Sequence, residues 1–115
     1  MRPGGIWSVT YRIEGAPHDQ LNDPSTIAAF LTGTADLAGL TVVASVEHRF
    51  APQGVSAVLV LSESHVAIHT WPETGTAYLT LTSCHPIGVS VIEAIGSLAT
   101  RVLGAQDLAH AAVEL

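Results

Sequence analysis

Alternation of apolar and polar side chains predicts a β-strand at the start of the chain. From Trp7 to Glu14 every second residue is apolar, and a period of two is typical of a strand with one buried face. Similar patterns, with turn residues between several of them, predict four more strands over residues 41–48, 55–62, 65–70 and 76–83. The nearly continuous apolar run over 55–62 predicts a strand that is buried on both faces or central in a sheet.

Two stretches instead carry apolar residues at intervals of three and four, which is typical of amphipathic helices. The first is predicted to begin at Asp23-Pro24, with the carboxylate as N-cap and proline at the first helical position. Gly39 is a suitable residue to end it. The second helix starts near residue 87 and ends at Gly104. The remaining segment, 105–115, fits either a short helix or an edge strand.

The predicted order is β-α-β-β-β-β-α, which indicates one α+β domain over residues 1–115. We expect a two-layer α/β sandwich in which two helices cover one face of a mostly antiparallel sheet. The other face of the sheet would then be bare in a monomer. We therefore expect a homodimer in which a second copy covers it.

Composition and charge exclude several classes of protein. The chain is 48% hydrophobic and 12% charged, which excludes disorder, and no apolar run reaches the roughly 18 residues that span a membrane. With four Lys and Arg against ten acids and a net charge of -6, we expect no nucleic-acid partner. The single cysteine cannot form an internal disulfide, and we expect a reduced, cytoplasmic protein.

Polar side chains interrupt the apolar strands between residues 62 and 73. Each of them alone fits an ordinary turn or strand position. A zinc site is a second interpretation, with ligands from His65, His69, Cys84 and His85. Positions four apart on a strand are separated by roughly 13 Å, however, which is too far to chelate one ion. We therefore expect no metal.

Three short motifs and a downstream cysteine favour a third interpretation. They are Gly-Val-Ser at 54–56, Glu-Ser-His at 63–65, Ile-His-Thr-Trp-Pro-Glu at 68–73, and Cys84. Together they resemble the short prokaryotic S-adenosylmethionine decarboxylases, which are pyruvoyl-dependent enzymes made as self-cleaving proenzymes. The resemblance is strong from residue 48 to residue 84 and weaker over the rest of the chain.

The resemblance implies that Ser64 becomes a pyruvoyl group when the chain is cut between Glu63 and Ser64. The Ser64 hydroxyl would attack the Glu63 carbonyl, Ser56 would hydrogen-bond the intermediate, and His69 would remove the Ser64 Cα proton. The pyruvoyl carbonyl would form a Schiff base with the substrate amine, and Cys84 would return a proton to the substrate as general acid. This chemistry requires residues 56, 69 and 84 to lie near the peptide bond between 63 and 64.

The implied substrate is S-adenosylmethionine, decarboxylated to the aminopropyl donor of polyamine synthesis without a metal. By the same resemblance, Phe50 would stack on the adenine and Glu73 would accept hydrogen bonds from the ribose hydroxyls. A small basic amino acid would need neither residue.

Other positions depart from the family pattern. Thr80, Thr82 and His85 stand where the family usually has Asp, Phe and Gly. The processing residues are therefore retained while the surroundings of the pocket differ. Two alternatives stay open: the same pyruvoyl chemistry on ornithine, arginine or a specialised-metabolism substrate, or an unprocessed homologue without catalytic activity.

Overall fold

A six-stranded antiparallel sheet with helices against one face forms the part of the chain that the computed structural model describes, residues 4–115. The strand order is β2-β3-β4-β5-β1-β6. In chain order the elements are β1 (Trp7–Glu14), α1 (His18–Leu21), α2 (Pro24–Leu37), β2 (Val42–Arg49), β3 (Val55–Leu61), β4 (Ser64–Trp71), β5 (Thr76–Ser83), α3 (Val89–Leu103) and β6 (Asp107–Glu114).

The predicted α+β sandwich is confirmed, and most of its local signals act as expected. The Asp23 side chain caps α2 by accepting a hydrogen bond from the Ser25 backbone N–H at 3.1 Å. Gly104, in the left-handed conformation, ends α3. The terminal segment is an edge strand, β6, which pairs with β1. The four-residue helix α1 was not predicted, because it is too short to show a periodic pattern.

Of the two alternatives for residues 55–62, burial on both faces is wrong, whereas β3 does lie inside the sheet, paired with β2 on one side and β4 on the other. Strand β3 buries alternate residues against the helices, whereas Val60 is 45% exposed on the opposite side. The strand also lies second from the edge of the sheet, beside β2. Its apolar run is continuous although only one of its two faces is covered within a single chain.

The side of the sheet opposite the helices is called the open face below. Its exposed apolar side chains come from five strands: Val46, Val60, Trp71, Tyr78 and Val113. The helical side, by contrast, is packed around fully buried residues such as Ile13, Phe30 and Leu79. An apolar surface spread over neighbouring strands is typical of an interface.

A buried threonine ties the helical layer to the end of the β3–β4 hairpin. Thr70 Oγ1 accepts a hydrogen bond from the Val55 backbone N–H at 2.9 Å and donates to the Leu21 carbonyl at 2.9 Å. Asn22 Oδ1 adds a bond by accepting from the Gly54 N–H at 2.9 Å. These bonds fix the loop between β2 and β3 against α1, and they position the cavity described below.

Replacing Thr70 by valine keeps the shape of the side chain and removes both hydrogen bonds. A buried N–H and a buried carbonyl lose a partner, so Thr70→Val should lower the free energy of unfolding by about 1–3 kcal/mol. Urea denaturation measures this change. Thr34→Val is the matched control, because the Thr34 hydroxyl donates to the Phe30 carbonyl, which also accepts a helical N–H. Equal losses in the two variants would contradict the role of Thr70.

Candidate active site

A two-residue turn between β3 and β4 presents the peptide bond that is predicted to be cut. Leu61 pairs with Ser64 across this turn, which leaves Ser62 and Glu63 at its tip. Glu63 has φ 58° and is the one non-glycine residue with positive φ among residues 4–115. The left-handed conformation costs a residue with a β-carbon about 1–3 kcal/mol. Backbone strain is thus located immediately before Ser64.

Cys84 lies beside this turn. Its backbone N–H donates a hydrogen bond to Ser64 Oγ at 3.3 Å, and its Sγ lies 4.0 Å from the same oxygen. The thiol is also 3.9 Å from Glu63 Oε2. The pairing of β4 with β5 sets His65 opposite Thr82, so the chain that leaves β5 passes the start of β4. Three of the predicted site residues are therefore together, and we call Glu63, Ser64 and Cys84 the cleavage cluster.

Ser56 and His69 form a second cluster. Ser56 Oγ lies 2.7 Å from His69 Nδ1, because the register of β3 and β4 sets these two residues directly opposite each other. Both border a cavity of about 330 Å³. Its other lining residues are Phe50, Gln53, Thr70, Trp71 and Glu73. This group of residues is called the pocket cluster.

Aromatic rings form much of the rim of this cavity. Phe50 is half exposed and meets His48 edge-on, with ring centroids 4.6 Å apart. Trp71 packs on Tyr78 with centroids 4.9 Å apart. The predicted substrate-binding residues Phe50 and Glu73 thus lie together in one cavity, beside exposed π-faces that suit a flat or cationic ligand.

One chain does not bring the two clusters together. Ser64 and His69 are five positions apart on β4, which corresponds to roughly 16 Å along an extended strand. The expectation that residues 56, 69 and 84 all lie near the 63–64 peptide bond is therefore wrong for a single chain. The physical reason is that an antiparallel hairpin carries its turn at one end and the Ser56–His69 pair at the other.

The separation of Ser64 from the Ser56–His69 pair could have been predicted from the sequence. A two-residue turn after Leu61 pairs 61 with 64, and counting outward then pairs 56 with 69. The left-handed backbone of Glu63 had no such signal, because glutamate is not a residue that favours it. The polar replacements Thr80 and Thr82 lie on β5, where Thr82 Oγ1 is 3.1 Å from Ser8 Oγ.

Two general properties bear on the chemistry of the site. Within residues 4–115, no three His, Cys, Asp or Glu side chains come close enough to hold a metal ion. No helix in that same part of the chain is both long enough and apolar enough to cross a membrane.

A family model described as S-adenosylmethionine decarboxylase matches residues 8–113. The chain belongs to the S-adenosylmethionine decarboxylase family. Among curated relatives in this family, the S-adenosylmethionine decarboxylase proenzyme of Pelotomaculum thermopropionicum is 46% identical over 76 residues, which are 66% of this chain and 60% of that protein. The proenzyme of Prochlorococcus marinus is 43% identical over 67 residues, 58% of this chain and 54% of that protein.

Solved structures share the fold of this family member. The adenosylmethionine decarboxylase of Aquifex aeolicus has a TM-score of 0.79 at 24% identity and covers 98% of this chain and 91% of its own. The AdoMetDC-delta26 monomer of Trypanosoma brucei has a TM-score of 0.61 at 14% identity, with 90% of this chain and 44% of that chain covered. The sequence matches thus span between 54% and 60% of the length of these two curated relatives, while the fold extends over nearly the whole chain.

The strain at Glu63 can be tested by substitution. In a Ser64→Ala background, which lacks the hydroxyl required for the predicted cleavage, Glu63→Gly should raise the melting temperature, because glycine adopts positive φ without the β-carbon penalty. Ser62→Gly is the matched control: it places the same residue next door, where φ is not positive, and should lower the melting temperature. Thermal unfolding followed by circular dichroism gives both values. A Glu63→Gly protein less stable than its parent would contradict the strain.

Proposed function

We propose that this chain is the proenzyme of a pyruvoyl-dependent decarboxylase that acts on S-adenosylmethionine and works as a homodimer. Membership of the S-adenosylmethionine decarboxylase family supports the reaction. The observation that carries the proposal is the cleavage cluster: a left-handed Glu63 precedes Ser64, whose hydroxyl contacts the N–H and the thiol of Cys84.

Self-cleavage begins with attack of the Ser64 hydroxyl on the Glu63 carbonyl. The Cys84 N–H, at 3.3 Å from Ser64 Oγ, holds this hydroxyl at the turn, and the strain at Glu63 favours a rearrangement that relaxes it. The amide becomes an ester, and removal of the Ser64 Cα proton then expels the Glu63 carboxylate. The resulting dehydroalanine is hydrolysed to a pyruvoyl group with release of ammonia, which divides the chain into residues 1–63 and 64–115.

We place the base for the Cα proton, His69, in a second copy of the chain. His69 of the same chain lies roughly 16 Å along the strand from Ser64. Its ring is also held at the far end of the hairpin by Ser56, at 2.7 Å. In the proposed dimer the open faces of two sheets pack against each other around a two-fold axis that is perpendicular to the strands. This axis reverses the strand direction of the second copy. It brings the pocket cluster of one copy over the cleavage cluster of the other.

The open face supports this mode of assembly. Val60, Trp71 and Tyr78 are between 40% and 47% exposed there, and the chain as a whole has few charges to oppose association. Closing two open faces against each other removes this apolar surface from water. It also completes the site, so that association and chemistry depend on the same contact.

The residues around Ser64 fit a pyruvoyl group at that position. The group supplies a carbonyl that accepts the electrons released when carbon dioxide leaves. The Cys84 thiol, which lies 4.0 Å from Ser64 Oγ, holds the proton that is returned to the substrate. The pocket cluster offers the Glu73 carboxylate for ribose hydroxyls and the rings of Phe50 and Trp71 for a flat base and a positively charged sulfonium.

Mass spectrometry and an assay of carbon dioxide release test the activity. The purified protein should separate into chains 1–63 and 64–115, the second with a ketone at its N-terminus, and should release carbon dioxide from S-adenosylmethionine. Ser64→Ala should give one uncut chain and no activity. Cys84→Ala should still be cut but lose at least tenfold in turnover, because a positioned general acid contributes about 100-fold or more.

Ornithine and arginine serve as comparison substrates in the same assay. Faster release of carbon dioxide from ornithine or arginine would show that this amino acid, and not S-adenosylmethionine, is the substrate. A chain that stays intact on long incubation would favour a homologue without catalytic activity.

Co-expression of two inactive variants tests the shared site. Ser64→Ala and His69→Ala chains should each remain uncut alone, but their mixed dimer has one complete site. Random pairing makes half of the dimers mixed. Each mixed dimer has one working site where a wild-type dimer has two, so about a quarter of the wild-type activity should return. Only the His69→Ala chain should be cut.

Ser64→Ala mixed with Cys84→Ala is the control for this experiment. Both residues belong to the cleavage cluster of one chain, so no mixed dimer has a complete site. Only half of the chains then carry Ser64, and turnover should be about half that of Cys84→Ala alone. Failure of the first pair to recover any cleavage would refute a site shared between two copies.

A further inference from the structure

His18, on the short helix α1, reaches the loop that borders the pocket cluster. Its Nε2 lies 2.8 Å from Gln53 Oε1, and its Nδ1 lies 3.3 Å from Asp19 Oδ1. Both partner atoms are oxygens that accept hydrogen bonds. Both contacts are hydrogen bonds at the same time only when each ring nitrogen carries a proton, that is, in the positively charged imidazolium.

The charged groups near His18 favour this protonated form. Hydrogen bonds to Gln53 and then to Asp19 raise the pKa of His18 above its usual value, and the negative charges of Asp19 and Glu73 add to the effect. Asp19 comes from α1 itself, and Glu73 comes from the turn between β4 and β5. The imidazole is half exposed, so solvent can still exchange its protons.

Gln53 is the residue through which His18 can act on a ligand. It lines the cavity together with Phe50 and Glu73, and it is partly buried. Because its Oε1 accepts from His18, its amide nitrogen is left to donate to another partner. The adjacent Gly54 is tied to Asn22 at 2.9 Å, which restrains the backbone from which the Gln53 side chain extends.

We propose that His18 is a positioning residue, which in its protonated form orients Gln53 to donate a hydrogen bond to an acceptor atom of the nucleoside part of the substrate. This inference rests on the proposed function for the identity of the ligand. The arrangement itself comes from α1 and from the loop between β2 and β3, and it involves neither the cleavage cluster nor the Ser56–His69 pair.

Loss of the proton from His18 should reverse the orientation of the amide. Asp19 retains the remaining N–H on Nδ1, so Nε2 becomes an acceptor. The amide nitrogen of Gln53 then turns to donate to Nε2, and Oε1 faces the cavity in its place. An acceptor atom on the ligand meets a carbonyl oxygen in this state. Ligand binding should therefore be tighter below the pKa of His18 and weaken as the pH rises through it.

Steady-state kinetics of the processed enzyme test the proposal over about pH 6 to 9, the range that brackets histidine titration. At low pH, His18→Ala and Gln53→Leu should each raise KM for S-adenosylmethionine about three- to tenfold, the size expected for one hydrogen bond, with little change in kcat. The double variant should be no worse than either single variant. The KM of the wild type should rise with pH, and that of His18→Ala should stay flat.

His18→Lys and Asp19→Asn separate positioning from a merely structural role. Lysine donates a hydrogen bond throughout this pH range, so His18→Lys should keep a low KM that no longer depends on pH. Asp19→Asn removes a neighbour that favours the imidazolium, so the rise in KM should move to lower pH. A KM for His18→Ala that follows the wild-type pH dependence would overturn the proposal, whatever the variant's thermal stability.

Binding of 5′-methylthioadenosine, measured by calorimetry on the same proteins, needs no turnover. If the wild type binds this nucleoside with the expected pH dependence but does not decarboxylate S-adenosylmethionine, the proposed function fails and the role of His18 stands. If the wild type is active and the variants match it in KM and in nucleoside affinity, the role of His18 fails and the proposed function stands. Absence of nucleoside binding in the wild type overturns both the ligand class and the role of His18.

Discussion

The pairing of β3 with β4 through a two-residue turn is the constraint on which the rest of this molecule depends. It puts Ser64 at the turn and Ser56 opposite His69 at the far end. Within this turn Glu63 takes up a backbone conformation that residues with a β-carbon avoid. One hairpin thus combines a strained backbone at Glu63 with a separation of Ser64 from His69 along the strand.

The separation of the cleavage cluster from the pocket cluster is a stronger argument for a partner on the open face than its exposed apolar residues are. Antiparallel sheets often leave one face to solvent, so exposed residues such as Val60 and Tyr78 do not by themselves require a partner. The position of the cleavage cluster and the pocket cluster at opposite ends of one hairpin does favour a partner. A second copy with reversed strand direction would bring the two clusters together. In the dimer that we propose, assembly is a condition of maturation, and an isolated chain would not cut itself.

The buried contacts between the helices and the β3–β4 hairpin stabilise the fold and also restrain the residues that line the cavity. Thr70 satisfies one donor and one acceptor from different elements, and such groups are costly to leave unpaired. The same region holds Asn22 and His18, which restrain the loop that carries Phe50 and Gln53. The cavity is thus shaped from α1, an element whose four residues left no periodic signal in the sequence.

The sequence by itself determined the local elements and predicted which residues carry the chemistry. The alternation from Trp7 to Glu14, the Asp23 cap and Gly104 all act within a few positions of the chain, and patterns of that range are readable from one sequence. So are the motifs around Ser64 and His69, because their residue types and spacing are specific to a family. Only the tertiary structure decided that Glu63 is left-handed, that Cys84 meets Ser64 while His69 does not, and that His18 holds Gln53. These features are contacts between elements, and their geometry is set by strand register and packing over many residues rather than by the preferences of any one of them.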